Sequence, residues 1–326
     1  MSIMMKLNYI PGADKLINSN PELRDKITKL VFPPKADFSN FDWAETVFLV
    51  PGDPTTVVWV KKTIKEISEF LSKQPNSAKP SIVYLGGNSG KYKNAAWYDV
   101  LRKLETKFAK AICHINGYEL TPFIDGNESE IIHNEVAKEV PDSTFQSVDL
   151  ETKSTNIHAA MENALTNGYL NNVKNVIIVA GKEYATRCMG TLRATLKAHN
   201  LNPQDYNIVA WPYTKTLSVK QLSELQKFMG VDFKIPENGG IVDENNWYKS
   251  GLLVYDITIE TNSLIKYAEK GHVALSDEQR QLANDISKRL TKKDMMLETA
   301  KINAAKLKAK TLDPVMQKIM GDKQRH

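Results

Sequence analysis

Cysteine is scarce in this chain. The two present among 326 residues, Cys113 and Cys188, allow one disulfide at most and fit no metal-ligand spacing, which excludes a disulfide scaffold and makes a reducing compartment the simpler expectation. Long apolar runs are also lacking. The longest, Val176-Ile-Ile-Val-Ala180, falls far short of the roughly 18 residues that a membrane-spanning helix needs. Residues Met1 to Leu7 carry one lysine and lead into Asn8-Tyr-Ile-Pro-Gly12, without the apolar stretch or small-residue cleavage site of an export signal, so a cytoplasmic location is expected. Repeats and low-complexity tracts are absent, and the 42% hydrophobic, 25% charged and 8% aromatic content excludes disordered and collagen-like chains. The length suggests about two domains, each able to bury a core.

The net charge of +5 is unevenly placed. Lys288 to His326 holds eleven basic and four acidic residues, leaving 32 basic and 34 acidic groups in the rest. A near-neutral body with a basic tail reads as a solvated helical tail, or as a contact for an anionic partner such as nucleic acid or a membrane surface. The basic groups are not interleaved with aromatics, which favours the solvated reading.

Short β-branched segments alternate with amphipathic ones, the pattern of a parallel sheet with crossover helices. Strands are expected at Thr46 to Val50, Ser81 to Leu85, Phe145 to Leu150, Asn175 to Ala180 and Asn207 to Trp211, with a weaker one at Ala111 to Ile115. Helical spacing marks Val57 to Leu71, Ile131 to Val140, Ile157 to Leu165 and Arg187 to Ala198. After Pro212 the alternation stops. An apolar run from Leu252 to Ile259 and a capping box at Ser276-Asp-Glu-Gln279 follow, and with Leu16 to Leu30 they suggest a helical unit built from both ends of the chain. The expected fold is therefore α/β, a doubly wound, Rossmann-like, mostly parallel sheet with a second, smaller, mainly helical domain. Residues 1–37 form an N-terminal helical segment packing on the C-terminal domain, 38–216 the ligand-binding domain, 217–290 the helical domain and 291–326 the basic tail.

Ligands of open α/β sheets bind beyond the carboxyl ends of the strands. Four polar stretches fall there: Pro51-Gly-Asp-Pro54, Gly86-Gly-Asn-Ser-Gly90, Glu151-Thr-Lys-Ser-Thr-Asn156 and Gly181 to Cys188, which contains Arg187. Each has a plain structural reading. Asp53 and the group Ser154, Thr155 and Asn156 are of the types that cap helices, and an exposed Arg commonly forms a surface ion pair. The glycine loop matches neither the G-x-G-x-x-G fingerprint nor the phosphate loop ending in Gly-Lys-Ser/Thr. No Gly-x-Ser-x-Gly elbow occurs, and His133 and His158, the histidines nearest these stretches, read as helix-surface residues.

Taken in order, Val47-Phe-Leu-Val-Pro-Gly52, Ile82-Val-Tyr-Leu-Gly-Gly87, Ser129-Glu130, Glu151-Thr-Lys-Ser-Thr-Asn156 and Arg187-Cys-Met-Gly-Thr-Leu192 resemble the motifs of the YdcF-like family, which includes the SanA and ElyC envelope proteins. The resemblance extends to Ile259-Glu260, Leu264, Tyr267 and Gly271-His-Val273, and so covers most of residues 45 to 290. The chain departs from that pattern at Ile157-His-Ala-Ala160, where Glu162-Asn163 lies about one helical turn late, at Cys188 in place of a second Arg, and at Thr261-Asn-Ser263, which lacks an Arg.

The resemblance implies a cytoplasmic two-domain protein that binds S-adenosylmethionine or another adenosyl nucleotide, with no settled reaction; a transferase activity using that cofactor is compatible with it. The ligand would be surrounded by Gly52, Asp53, Gly86, Gly87, Asn88, Glu130, Glu151, Ser154, Asn156 and Arg187. Arg187 would hold a carboxylate or phosphate, and Glu130 and Glu151 would serve a ribose or act as general acid and base. No metal site is expected, although Asp53, Glu130 and Glu151 could hold Mg²⁺ beside a phosphate. Two readings of other classes compete: a non-enzymatic adaptor working through the basic tail, and a role in envelope glycan or lipid-carrier metabolism, as for SanA and ElyC. Oligomeric state is not legible.

Overall fold

The computed structural model describes residues 17, 19–52, 56–74, 78–87, 127–229, 239–241, 244–245, 247–249 and 251–289. Asp53, Asn88, the weak strand at Ala111 to Ile115 and the basic tail beyond 290 lie outside the described residues.

Five strands form one fully parallel sheet: β1 (Thr46–Pro51), β2 (Ser81–Leu85), β3 (Val148–Glu151), β4 (Asn175–Ile178) and β5 (Asn207–Ala210). Their order is β3-β2-β1-β4-β5, so the chain works outward from β1 on one side and then crosses back to add β4 on the other. The switch point lies between β1 and β4, where α/β sheets open a crevice. The intervening helices are α2 (Val57–Leu71), α3 (Glu128–Ala137), α4 (Ile157–Thr166) and α5 (Lys182–Ala198), preceded in the chain by α1 (Pro21–Val31).

The strand sequences explain why both faces are covered. Successive side chains alternate across a strand, and outside β3 these strands are apolar at all but one position each. Phe48 and Val50 of β1, Ile82 and Tyr84 of β2 and Ile177 of β4 enter one core with Val60, Ile64 and Ile67 of α2 and Ile132 and Val136 of α3. Their neighbours Val47, Leu49, Val83, Leu85, Val176 and Ile178 enter the opposite core with Met161 of α4 and Leu192 and Leu196 of α5. This is the doubly wound arrangement expected from the sequence. The third strand is shorter than its apolar pattern suggested, because a 3₁₀ turn at Asp142–Thr144 occupies the approach and Phe145 closes that turn by donating its N–H to the Asp142 carbonyl.

Beyond β5, β6 (Thr216–Leu217) and β7 (Gly240–Ile241) form a short antiparallel pair, with α6 (Val219–Met229) between them. Helices α7 (Gly251–Glu269) and α8 (Asp277–Arg289) complete the described chain. The capping box opening α8 is formed: Ser276 Oγ accepts from Gln279 N at 3.2 Å, and Gln279 Oε1 accepts from Ser276 N at 3.1 Å. A third core joins the segment before β1 to those after β7. Leu23, Ile27, Leu30 and Val31 of α1 pack with Trp247, Ile257 and Leu264 of the α7 region and Ala283 and Ile286 of α8. Trp247 Nε1 donates to Thr28 Oγ1 at 2.9 Å, and Lys26 of α1 pairs with Asp285 of α8 at 2.9 Å. Among the described residues no helix is long and apolar enough to cross a membrane.

Candidate functional site

At the carboxyl ends of β1, β2 and β3 the structure opens a crevice of about 210 Å³, bordered by Gly52, Gly86, Gly87, Glu128, Ser154, Thr155, Asn156 and Tyr184. Its walls come close because three positions lack a side chain. A Cβ on Gly52 would stand 2.6 Å from the Leu85 carbonyl oxygen and 2.8 Å from Glu128 Cβ. One on Gly87 would stand 2.5 Å from the carbonyl oxygens of both Thr152 and Ser154, and Gly86 adopts φ +145°, which L side chains rarely take. The Gly-Gly ending of β2 therefore lets the loop after β3 close down on it, with Gly87 N donating to Ser154 O at 3.1 Å and Gly86 N to Glu151 O at 3.0 Å.

That loop is organised from within. Glu151 ends β3 and is 2% exposed; its Oε1 accepts from Lys153 N at 2.7 Å, Ser154 N at 2.8 Å and Asn163 Nδ2 at 2.8 Å. Three donors on one oxygen fold residues 151–156 into a tight turn that presents Ser154, Thr155 and Asn156 to the crevice. Glu151 itself does not border the cavity. Among the described residues its buried Oε2 has no hydrogen-bond partner, and neither has Ser129 Oγ at the head of α3. The late position of Asn163 acquires a meaning here: one turn further along α4, it reaches back to Glu151. Asn156 caps α4, its Oδ1 accepting from Ala159 N at 3.0 Å, and so the amino end of α4, where the helix dipole favours negative charge, borders the crevice.

Besides Glu151, two more of the acidic and basic groups expected around a ligand, Glu130 and Arg187, do not border the cavity. Glu130 is the third residue of α3, and its Oε2 accepts from Asn127 N at 3.2 Å and Asn127 Nδ2 at 2.8 Å, closing a capping box. Glu128, two residues earlier, borders the crevice instead. The Asn127-x-x-Glu130 spacing is itself a capping signal that assigns Glu130 to the helix start.

Arg187 is held by a carboxylate of α7. Its Nε donates to Glu260 Oε2 at 2.6 Å and its Nη2 to Glu260 Oε1 at 2.9 Å, with the two side chains 15% and 13% exposed. The guanidinium carbon lies 4.3 Å from the Tyr184 ring centroid and 5.9 Å from that of Tyr267. Burial works against its charge, but Tyr184 and Glu260 more than offset it, and its pKa lies above the ordinary value. The fork is thus engaged within the protein rather than turned to the crevice.

The structure therefore gathers Gly52, Gly86, Gly87, Ser154 and Asn156 around one cavity, leaves Glu130, Glu151 and Arg187 off its lining, and adds Glu128, Thr155 and Tyr184. Tyr184 was hidden in the sequence because α5 begins at Lys182, a turn earlier than the apolar spacing indicated. Among the described residues no group of three or more His, Cys, Asp or Glu side chains is placed to hold a metal ion. In comparisons with known proteins, no family model matches the chain and no curated protein gives a significant match.

Proposed function

We propose that the crevice binds S-adenosylmethionine or another adenosyl nucleotide, as the YdcF-like resemblance implies. The observation that carries this reading is the glycine-walled cavity at the carboxyl ends of β1 to β3, beside the switch point, where open α/β sheets receive their ligands. The donor set suits such a ligand. Glu128, on the crevice wall, would accept from ribose hydroxyls, Ser154, Thr155 and Asn156 would offer donors and acceptors, and the glycines would admit the ligand against backbone. The amino end of α4 favours a ligand carboxylate or phosphate, a role Arg187 cannot take while Glu260 holds it.

When bound, S-adenosylmethionine supplies an activated methyl group; this chain's residues bind and orient it. The test is calorimetric titration of S-adenosylmethionine into the purified protein and into Glu128→Ala and Thr155→Trp, which remove a polar contact and fill the cavity mouth. Saturable binding weakened at least tenfold in both variants supports the site. Binding that neither variant changes moves it elsewhere.

A further inference from the structure

Arg187 and Tyr184 lie three residues apart on the same face of α5, so the guanidinium that Glu260 grips also rests on the ring of Tyr184, a residue that borders the crevice. Glu260 belongs to α7, and α7 belongs to the core that joins the segment before β1 to those after β7. An unbroken run of contacts thus leads from that core to the cavity: Glu260 carboxylate, Arg187 guanidinium at 2.6 Å, Tyr184 ring at 4.3 Å, crevice. A planar guanidinium held at two nitrogens has a fixed orientation, and a ring stacked on it is fixed in turn. Tyr267 of α7 flanks the same guanidinium, so both partners that orient it on this side come from the helical unit.

We propose that Glu260 is a positioning residue for the crevice: through Arg187 it holds Tyr184 in the wall, so that the helical unit sets the shape of the ligand site. The inference rests on reading the crevice as that site, and it gives Arg187 a different task from direct contact with a ligand anion. A pair serving only to tie α5 to α7 would stabilise the protein without reaching the cavity.

The experiment uses the full chain and two readouts. Backbone hydrogen exchange followed by mass spectrometry, without ligand, compares wild type, Glu260→Gln, and the controls Ile286→Val and Ile286→Ala, which loosen the same helical core without touching the pair. Glu260→Gln is expected to raise exchange about tenfold in residues 151–158 and 182–188, and the controls to leave those segments within about twofold of wild type. Calorimetry with S-adenosylmethionine is expected to show about tenfold weaker binding in Glu260→Gln alone. Unchanged exchange at the crevice in Glu260→Gln, or equal changes in the controls, overturns the proposal. Absence of S-adenosylmethionine binding in wild type overturns the adenosyl reading, and the exchange comparison still decides whether Glu260 shapes the crevice.

Discussion

At the scale of single residues, Glu151 holds the crevice loop through one oxygen. Glu151→Ala leaves Lys153 N, Ser154 N and Asn163 Nδ2 without their acceptor and is expected to cost about 2–4 kcal/mol in urea unfolding. Glu151→Gln keeps a carbonyl oxygen there and should cost less than about 1 kcal/mol. Equal losses in the two variants would show that the charge, not the acceptor, matters. Cys188 gives a second residue-scale expectation: burial pushes its thiol up to about 12, which removes the thiolate that alkylating reagents need. Peptide mapping after iodoacetamide treatment at pH 8 should find Cys188 unmodified in the folded protein and modified in urea, whereas labelling of the folded protein would contradict its burial. Little of this was legible in advance. Glu151 was recognisable by type, but which of its oxygens would be engaged depended on a turn that only the meeting of β2 and β3 creates.

At the scale of elements, α5 meets the helical unit through contacts that include two open to direct test. One is the Arg187–Glu260 pair. Removing either partner strands a largely buried charge, so Arg187→Ala and Glu260→Ala should each cost about 2–4 kcal/mol, the double variant less than their sum, and the cycle should return a coupling of about 1–3 kcal/mol. The other is Gly190, inside α5, where a Cβ would stand 2.6 Å from Val273 Cγ1 and 3.2 Å from Ala274 O, while its carbonyl accepts from Ala274 N at 2.8 Å. Gly190→Ala gains helix propensity but forces the segment after α7 outward, for a net loss of about 1–2 kcal/mol that Val273→Ala should partly restore. A more stable Gly190→Ala protein would show that the contact yields easily. The elements themselves were largely readable, because five apolar β-branched segments and the amphipathic helices between them carry their periods openly. Helix α7 showed only its apolar half. Its continuation through Thr261-Asn-Ser263 carries no apolar signal, and there Thr261, fully buried, donates its hydroxyl to the Ile257 carbonyl at 2.7 Å. The Arg187–Glu260 pair spans 73 residues, and no local pattern announces a contact of that range.

At the scale of the whole molecule, the strand order brings segments from β1, β2 and β3 to one edge, and the core that joins the segment before β1 to those after β7 stands behind α5. That the polar segments after β1, β2 and β3 would meet followed from the alternation of elements in the sequence. Which acidic residue borders the crevice did not, since Glu128 and Glu130 differ only in which of them the capping box engages. Whether this crevice takes the ligand is decided by calorimetric titration of S-adenosylmethionine into wild type and Thr155→Trp. Saturable binding at one site per chain is expected in wild type, and at least tenfold weaker binding in the variant. No binding to the wild-type protein, or equal affinity in the two, would contradict this expectation.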